Sequence, residues 1–384
     1  MKISSIELVN VNIPLAPSDL PKPVGRNYGC FMLVRIKTDK GLEGIGDGYY
    51  GNSAPGVAAT IRETLTPEIM GREATAVGGL YERMYRAGFY SGRIGIYSYA
   101  VSAVEMALWD LLGKYHGVPV YELLGGMVSR AVAPYPTLRA VMDEKEEKKV
   151  PVYASLQTFR TPEEVGLIAK TAVEEGFKSV KLHQVDIPSV RVTREAVGDG
   201  IDVTMDENGV FNSLEAERFS RQLAEFNIGW FEEPIWPPDD YRALAQLRRR
   251  SPVPIAGGEN ESTVYGFERI LETEAVDVLQ PEILSVGGLL EMYKVLAMAQ
   301  ARSLPVAPHN FKFGPVLAAT LNLSLLSSNV FTTETPWFKL EANLFKKGPQ
   351  IRNGWACLSD LPGLGFEIDE EVVKEYRIEK FPQK

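Results

Sequence analysis

Seven ionisable residues recur along this chain at steps of 23 to 27 residues: His183, Asp206, Glu232, Glu259, Glu282, His309 and Glu334. Each ends a short run rich in apolar and β-branched residues, such as Val203-Thr204-Met205-Asp206 or Trp230-Phe231-Glu232. Brought to one place, the successive carboxylates Asp206, Glu232 and Glu259 would repel one another severely without a cation between them. Three hard oxygen ligands with no thiolate among them suit Mg²⁺, one ion per chain, better than a soft transition metal. The plainer alternative is that each carboxylate caps the helix that follows it. Of the three histidines in the chain, His183 and His309 flank the trio, where imidazoles can take or give a proton at opposite faces of one carbon. The third, His116, precedes Gly117 at a predicted helix end, a structural position.

The neighbours of these residues extend the chemistry. Glu282 lies one step before His309, so its carboxylate can rest against the imidazole, fix the tautomer and raise the basicity of the ring. Read alone, it is equally a surface residue in the loop before Val286-Gly287-Gly288. Glu334, desolvated in such a site, can stay protonated and donate a hydrogen bond to a substrate oxygen, or it can cap a helix. Lys181 alternates with Leu182 and so points the same way as His183. Its charge can hold a substrate carboxylate and depress the proton affinity of His183, or it can simply balance the acidic trio.

A recurrence of this length asks for a repeating strand and helix, since a βα unit of a parallel barrel takes roughly 25–30 residues. Eight runs qualify as strands, ending near Ser155, His183, Asp206, Glu232, Glu259, Glu282, His309 and Glu334, and each is followed by an amphipathic stretch. Closing them into one parallel barrel puts every strand-final residue on the face where such barrels carry their sites. Before this repeat, residues 1 to about 50 alternate apolar and polar, with Thr38-Asp39-Lys40-Gly41 as a turn, which reads as an antiparallel meander. From about 57 to 124 the period becomes helical: Val101, Val104, Leu108, Leu111, Leu112 and Tyr115 share a face that Gly117 terminates. Strands followed by helices make this first part an α+β domain.

Composition narrows the classes. With 45% hydrophobic and 24% charged residues among 384, the chain is ordinary globular protein and neither collagen-like nor largely disordered. No apolar run is long enough to span a bilayer and the N-terminus has no signal-peptide core, so a cytoplasmic protein without membrane contact is expected. A formal charge of −9 argues against a nucleic-acid partner, and the basic cluster Arg248 to Arg250 sits at a predicted helix C-terminus, where cations are favoured. Cys30 and Cys357 lack any paired spacing and read as buried thiols.

The motifs resemble those of the enolase superfamily, and within it the mandelate racemase subgroup. The matching segments are Gly176-Phe177-Lys178-Ser179-Val180-Lys181-Leu182-His183, Met205-Asp206-Glu207-Asn208-Gly209, Trp230-Phe231-Glu232-Glu233-Pro234, Gly257-Gly258-Glu259-Asn260, Gln280-Pro281-Glu282 and Pro308-His309-Asn310. The resemblance spans essentially the whole chain. It implies a modified (β/α)8 barrel of (β/α)7β type over residues 131–340. An α+β capping domain over 1–130 is completed by the tail 341–384. It further implies that Asp206, Glu232 and Glu259 bind Mg²⁺, that bases remove the proton α to a carboxylate, and that the resulting enediolate is stabilised by nearby cations. The usual Lys-x-Lys of the subgroup is Lys181-Leu182-His183 here, and the usual Asp before the dyad histidine is Glu282; both keep the acid-base type.

Removing so weakly acidic a proton requires positive charge placed in advance, which a divalent ion and Lys181 provide. With a hydroxyl on the β-carbon, a protonated His309 can expel water and give a 2-keto-3-deoxy acid. Without one, reprotonation from the other face gives racemisation or epimerisation of a hydroxy or amino acid. A barrel without turnover that binds acid sugars is the remaining alternative. In this family the cap loops close the site, so Lys22, Arg26 and Tyr28, then Tyr49, Tyr50 and Asn52, with Asn208 from the barrel, are the candidate contacts to a polyhydroxylated acid or diacid; Tyr49 and Tyr50 can instead pack the cap on the barrel. The reading is an acid-sugar dehydratase acting on a small carboxylate, as a homo-oligomer.

Overall fold

The computed structural model describes residues 1–128 and 148–381. The expected domain boundary at 130 and most of the charged run Asp143 to Lys149 lie outside the described residues. The alternating N-terminal pattern becomes β1 (Ile3–Pro14), β2 (Tyr28–Thr38) and β3 (Glu43–Asp47), an antiparallel meander. Its inner face packs on the helix Ile96–His116, which ends where Gly117 takes φ 72°. Gly44 and Gly46 permit the contact: a Cβ on either would stand 2.1 or 2.2 Å from a backbone oxygen of that helix. The helix does not present the single apolar face expected from sequence. It is buried along most of its length, while Tyr115 is exposed, because the barrel covers its second side. There Glu105 accepts hydrogen bonds from the backbone N–H groups of Leu289 and Leu290 (2.8 and 3.1 Å) at the start of helix Leu289–Gln300.

The second part is a ring of parallel strands: β4 (Lys149–Ser155), β5 (Ser179–Leu182), β6 (Asp202–Asp206), β7 (Ile228–Glu232), β8 (Ile255–Gly257) and β9 (Val278–Leu279). Bridges from Leu279 to Val306 and from Val306 to Val330 continue it, and β10 (Thr333–Pro336) pairs with β4. The chain thus has the (β/α)7β barrel with an N-terminal cap. Tyr153, Trp230, Ala256, Val278 and Ala307 fill the interior, with Tyr153 and Trp230 edge to face at 5.4 Å, as a barrel core requires.

Several strands stop short of the expected residues. β5 ends at Leu182, β8 at Gly257 and β9 at Leu279, and the seventh position is reduced to bridges. Gly258 turns the chain at φ 118°, and Pro281 has no N–H with which to extend a ladder. His183, Glu259, Glu282 and His309 therefore stand just past their strands, and a backbone bridge between Glu282 and His309 keeps the last two aligned. The tail divides its attachments: Arg377–Ile378 pairs with β1 in the cap, whereas Trp355–Cys357 pairs with β4 of the barrel. Both cysteines are free and only partly buried, so the buried thiols expected from sequence are partly accessible.

Candidate active site

Asp206 and Glu232 end adjacent strands in register, and Glu259 follows β8. One oxygen from each lies within 4.8 Å of the others, and all three residues are buried. They do not cap the following helices. Asn212 caps Ser213–Leu223, Asp240 caps Tyr241–Arg250, and Glu291 takes the Val264 N–H at the start of Thr263–Thr273. The trio is thereby left free for a ligand. Other side chains hold it in place: Asn208 donates to Asp206 Oδ1 from its backbone (3.0 Å) and its amide (2.7 Å), while Trp230 Nε1 and Gln280 Nε2 donate to Glu232 Oε2 at 2.9 and 2.7 Å. Asn208 thus steadies a carboxylate in this structure. Glu259 Oε2 is buried and makes no hydrogen bond, with His309 Nε2 3.1 Å away. Three buried oxygen donors with one unspent acceptor fit a small, hard divalent cation.

Lys181 is completely buried, its Nζ 2.6 Å from Glu232, 2.9 Å from Glu334 and 3.1 Å from Asp206. Burial disfavours its charge, but these carboxylates outweigh burial and raise its pKa well above the ordinary lysine value. Of the two readings open in the sequence, the contacts made here are those of a counter-ion to the acids. Glu334 does not stay protonated, as the sequence had suggested. Burial pushes it up, yet Lys181 and His309 hold it at about 2, and its second oxygen accepts from the Asn310 N–H (3.1 Å) instead of capping a helix.

The two imidazoles reach opposite ends of the trio. His183 Nε2 is 3.2 Å from Asp206, and its Nδ1 donates to the Leu156 carbonyl at 2.5 Å, an arrangement that leaves Nε2 as the basic nitrogen. His309 Nε2 is 3.1 Å from Glu259 and 3.5 Å from Glu334, and burial lowers its pKa to about 4. Glu282 is fully buried, not a surface residue, and accepts from the Ser285 backbone and hydroxyl (3.2 and 2.7 Å). It makes no side-chain bond to His309 here; Glu282 Oε1 and His309 Nδ1 both remain buried without a partner.

Residues 5–125 match the mandelate racemase / muconate lactonizing enzyme N-terminal domain, and residues 165–372 match the enolase C-terminal domain-like family. The chain belongs to the mandelate racemase family of the enolase superfamily. Among its curated relatives, an arabinonate dehydratase from Saccharolobus solfataricus is 32% identical over 90% of each chain. A D-xylonate dehydratase from Haloferax volcanii is 29% identical over 93% of this chain and 87% of its own. The crystal structure of the 3,6-anhydro-D-galactonate cycloisomerase from Zobellia galactanivorans superposes with a TM-score of 0.82 at 28% identity, covering 99% of this chain and all of the other.

In this mandelate racemase family member the cap residues divide. Lys22, Tyr28 and Asn52 are exposed. Tyr50 stacks on Tyr99 at 3.9 Å and Tyr49 tilts against Phe381 at 4.6 Å, so both also serve cap packing. Arg26 lies over the ring of Phe311, which itself packs 5.7 Å from His183. Sequence reasoning missed Lys312, whose ammonium stands 4.5 Å from the Tyr50 ring; it falls in a loop where no periodicity marks direction. Gln280 was legible in principle, two residues before Glu282 on an alternating strand end.

Proposed function

We propose that this protein is a Mg²⁺-dependent dehydratase of acid sugars, aldonates or aldarates, which it converts to 2-keto-3-deoxy acids. The reading rests on one observation, two imidazoles at opposite ends of a buried carboxylate trio, in a chain whose relatives include arabinonate and D-xylonate dehydratases. Asp206, Glu232 and Glu259 would hold the ion, which when bound supplies positive charge where the enediolate develops. His183 takes the α-proton on Nε2, its tautomer fixed by Leu156. Lys181, released from part of its charge balance, steadies the negative charge that builds on the substrate carboxylate. His309, neutral in the unloaded site, would take up a proton once Glu282 supports its Nδ1, and would give that proton to the departing β-hydroxyl. Glu282 turns its free oxygen onto His309 Nδ1 when the site is loaded. The enol so formed gains a proton at the β-carbon to become the ketone.

The setting assumed is a cytoplasmic homo-oligomer. Among the described residues no helix is long and apolar enough to cross a membrane. Paired bases also suit racemisation or epimerisation, and the product separates the two outcomes: loss of water against an unchanged formula. The test is to incubate the protein with Mg²⁺ and a panel of aldonates and aldarates and assay 2-keto-3-deoxy products. Absence of keto product from every acid, with stereochemical inversion of one, would replace dehydration by epimerisation.

A further inference from the structure

Two cations at the seam of cap and barrel have no acid in contact. Arg26, in the loop joining β1 to β2, has its guanidinium carbon 4.4 Å from the Phe311 ring and 5.1 Å from the Phe338 ring. Lys312, three residues past His309, has its ammonium 4.5 and 5.6 Å from the rings of Tyr50 and Tyr49. Among the described residues neither makes a hydrogen bond or ion pair through its charged group. The acids that face Lys312 are Glu282 and Asp47. Each spends one oxygen elsewhere, Glu282 Oε2 on Ser285 and Asp47 Oδ1 on the backbone N–H groups of Met32 and Tyr49 (2.9 Å each), and keeps the other buried without a hydrogen-bond partner. Lys312 thus faces acids without pairing with either, and Arg26 has no acid in contact, so a partly desolvated guanidinium is held there without an anion.

Both cations sit one side-chain layer beyond the bases. Phe311 packs against Arg26 and His183 together, and Glu282, which faces Lys312, is bridged to His309 through the backbone. Their loops are fixed: Val24 N–H donates to the Thr158 carbonyl at 2.8 Å, and the Asn310 amide donates to the Lys312 carbonyl at 2.8 Å. A substrate whose first carboxylate lies at the trio would extend its far end toward this pair. The planar fork of arginine matches a carboxylate, and lysine adds a point charge.

We propose that Arg26 and Lys312 form a subsite for a second carboxylate, at the end of the substrate remote from the carbon that loses its proton, so that the preferred substrates are aldarates. This inference rests on the acid-sugar reading. The test compares matched pairs with Mg²⁺: galactarate against galactonate, xylarate against xylonate, arabinarate against arabinonate. The wild type should favour the reactive diacid at least tenfold in kcat/KM, about the size of one charge-assisted hydrogen bond. Arg26→Gln and Lys312→Met should each cut that preference roughly tenfold, chiefly through KM, with Arg26→Lys keeping part of it. A wild type that treats diacid and monoacid alike, or variants that slow both equally, would overturn the subsite while leaving the dehydratase reading intact. If no acid reacts, that reading fails instead, and titration calorimetry with galactarate and galactonate still decides the subsite. Tighter galactarate binding that Lys312→Met abolishes would support it, and equal binding would overturn it.

Discussion

Replacing Lys181 by methionine keeps nearly the length of the side chain and removes its charge. The ammonium now contacts Glu232, Glu334 and Asp206 at 2.6, 2.9 and 3.1 Å in a site closed to solvent. Breaking a buried ion pair on one side costs about 3–5 kcal/mol, because the remaining charge loses its partner. Here the acids can escape by binding protons, so the deficit depends on pH. Burial already raises Glu232 to about 8 with Lys181 present, and without it Asp206 and Glu334 must move up as well. A carboxylate whose folded pKa exceeds its unfolded value loses stability as pH rises between the two. Lys181→Met should therefore fall furthest below wild type near pH 8 and least near pH 5. A cation between the carboxylates replaces the missing charge, so saturating Mg²⁺ should recover more stability in the variant than in wild type. Urea unfolding at both pH values, in chelator and in Mg²⁺, measures all four terms. A deficit independent of both pH and Mg²⁺ would refute the account of Lys181 as the counter-ion of the trio.

Chelator should abolish turnover and Mg²⁺ restore it, while Glu232→Gln lowers Mg²⁺ affinity by calorimetry with an unchanged circular dichroism spectrum. Glu282→Gln should lower kcat several-fold at nearly constant KM if, as proposed, the residue supports His309 in the transition state only. Glu105→Ala leaves the buried N–H groups of Leu289 and Trp109 without an acceptor, with the part-buried N–H of Leu290. At roughly 1–3 kcal/mol for each buried orphaned group, urea unfolding should show a loss of at least about 2 kcal/mol, and less for Glu105→Gln.

The barrel was legible because its unit repeats: one chemically active residue per strand end is a signal that survives ignorance of every loop. The trio followed from the same register, since Asp206 and Glu232 pair across β6 and β7. Strand lengths were not legible, because proline and positive-φ glycine ended ladders that apolar runs alone would prolong. The sequence left the ionisation of Glu334 open, because the neighbour that bears on it, Lys181, lies far away in sequence and 2.9 Å away in space. Asn208 illustrates a similar limit: its motif placed it at the site, but only the fold showed that it grips Asp206. Lys312 lay in a loop, and its charge acquires meaning only when Arg26 and the two tyrosines of the cap are brought over it.

In the proposed reaction His183 removes the α-proton and His309 serves the departing hydroxyl. Wild type, His183→Asn and His309→Asn are incubated with a reactive acid sugar and Mg²⁺ in D₂O, with α-proton exchange followed by NMR and keto product by assay. His309→Asn should still exchange the α-proton while forming little keto acid, and His183→Asn should do neither. Normal product formation by either variant, with the fold intact by circular dichroism, would contradict that division of roles.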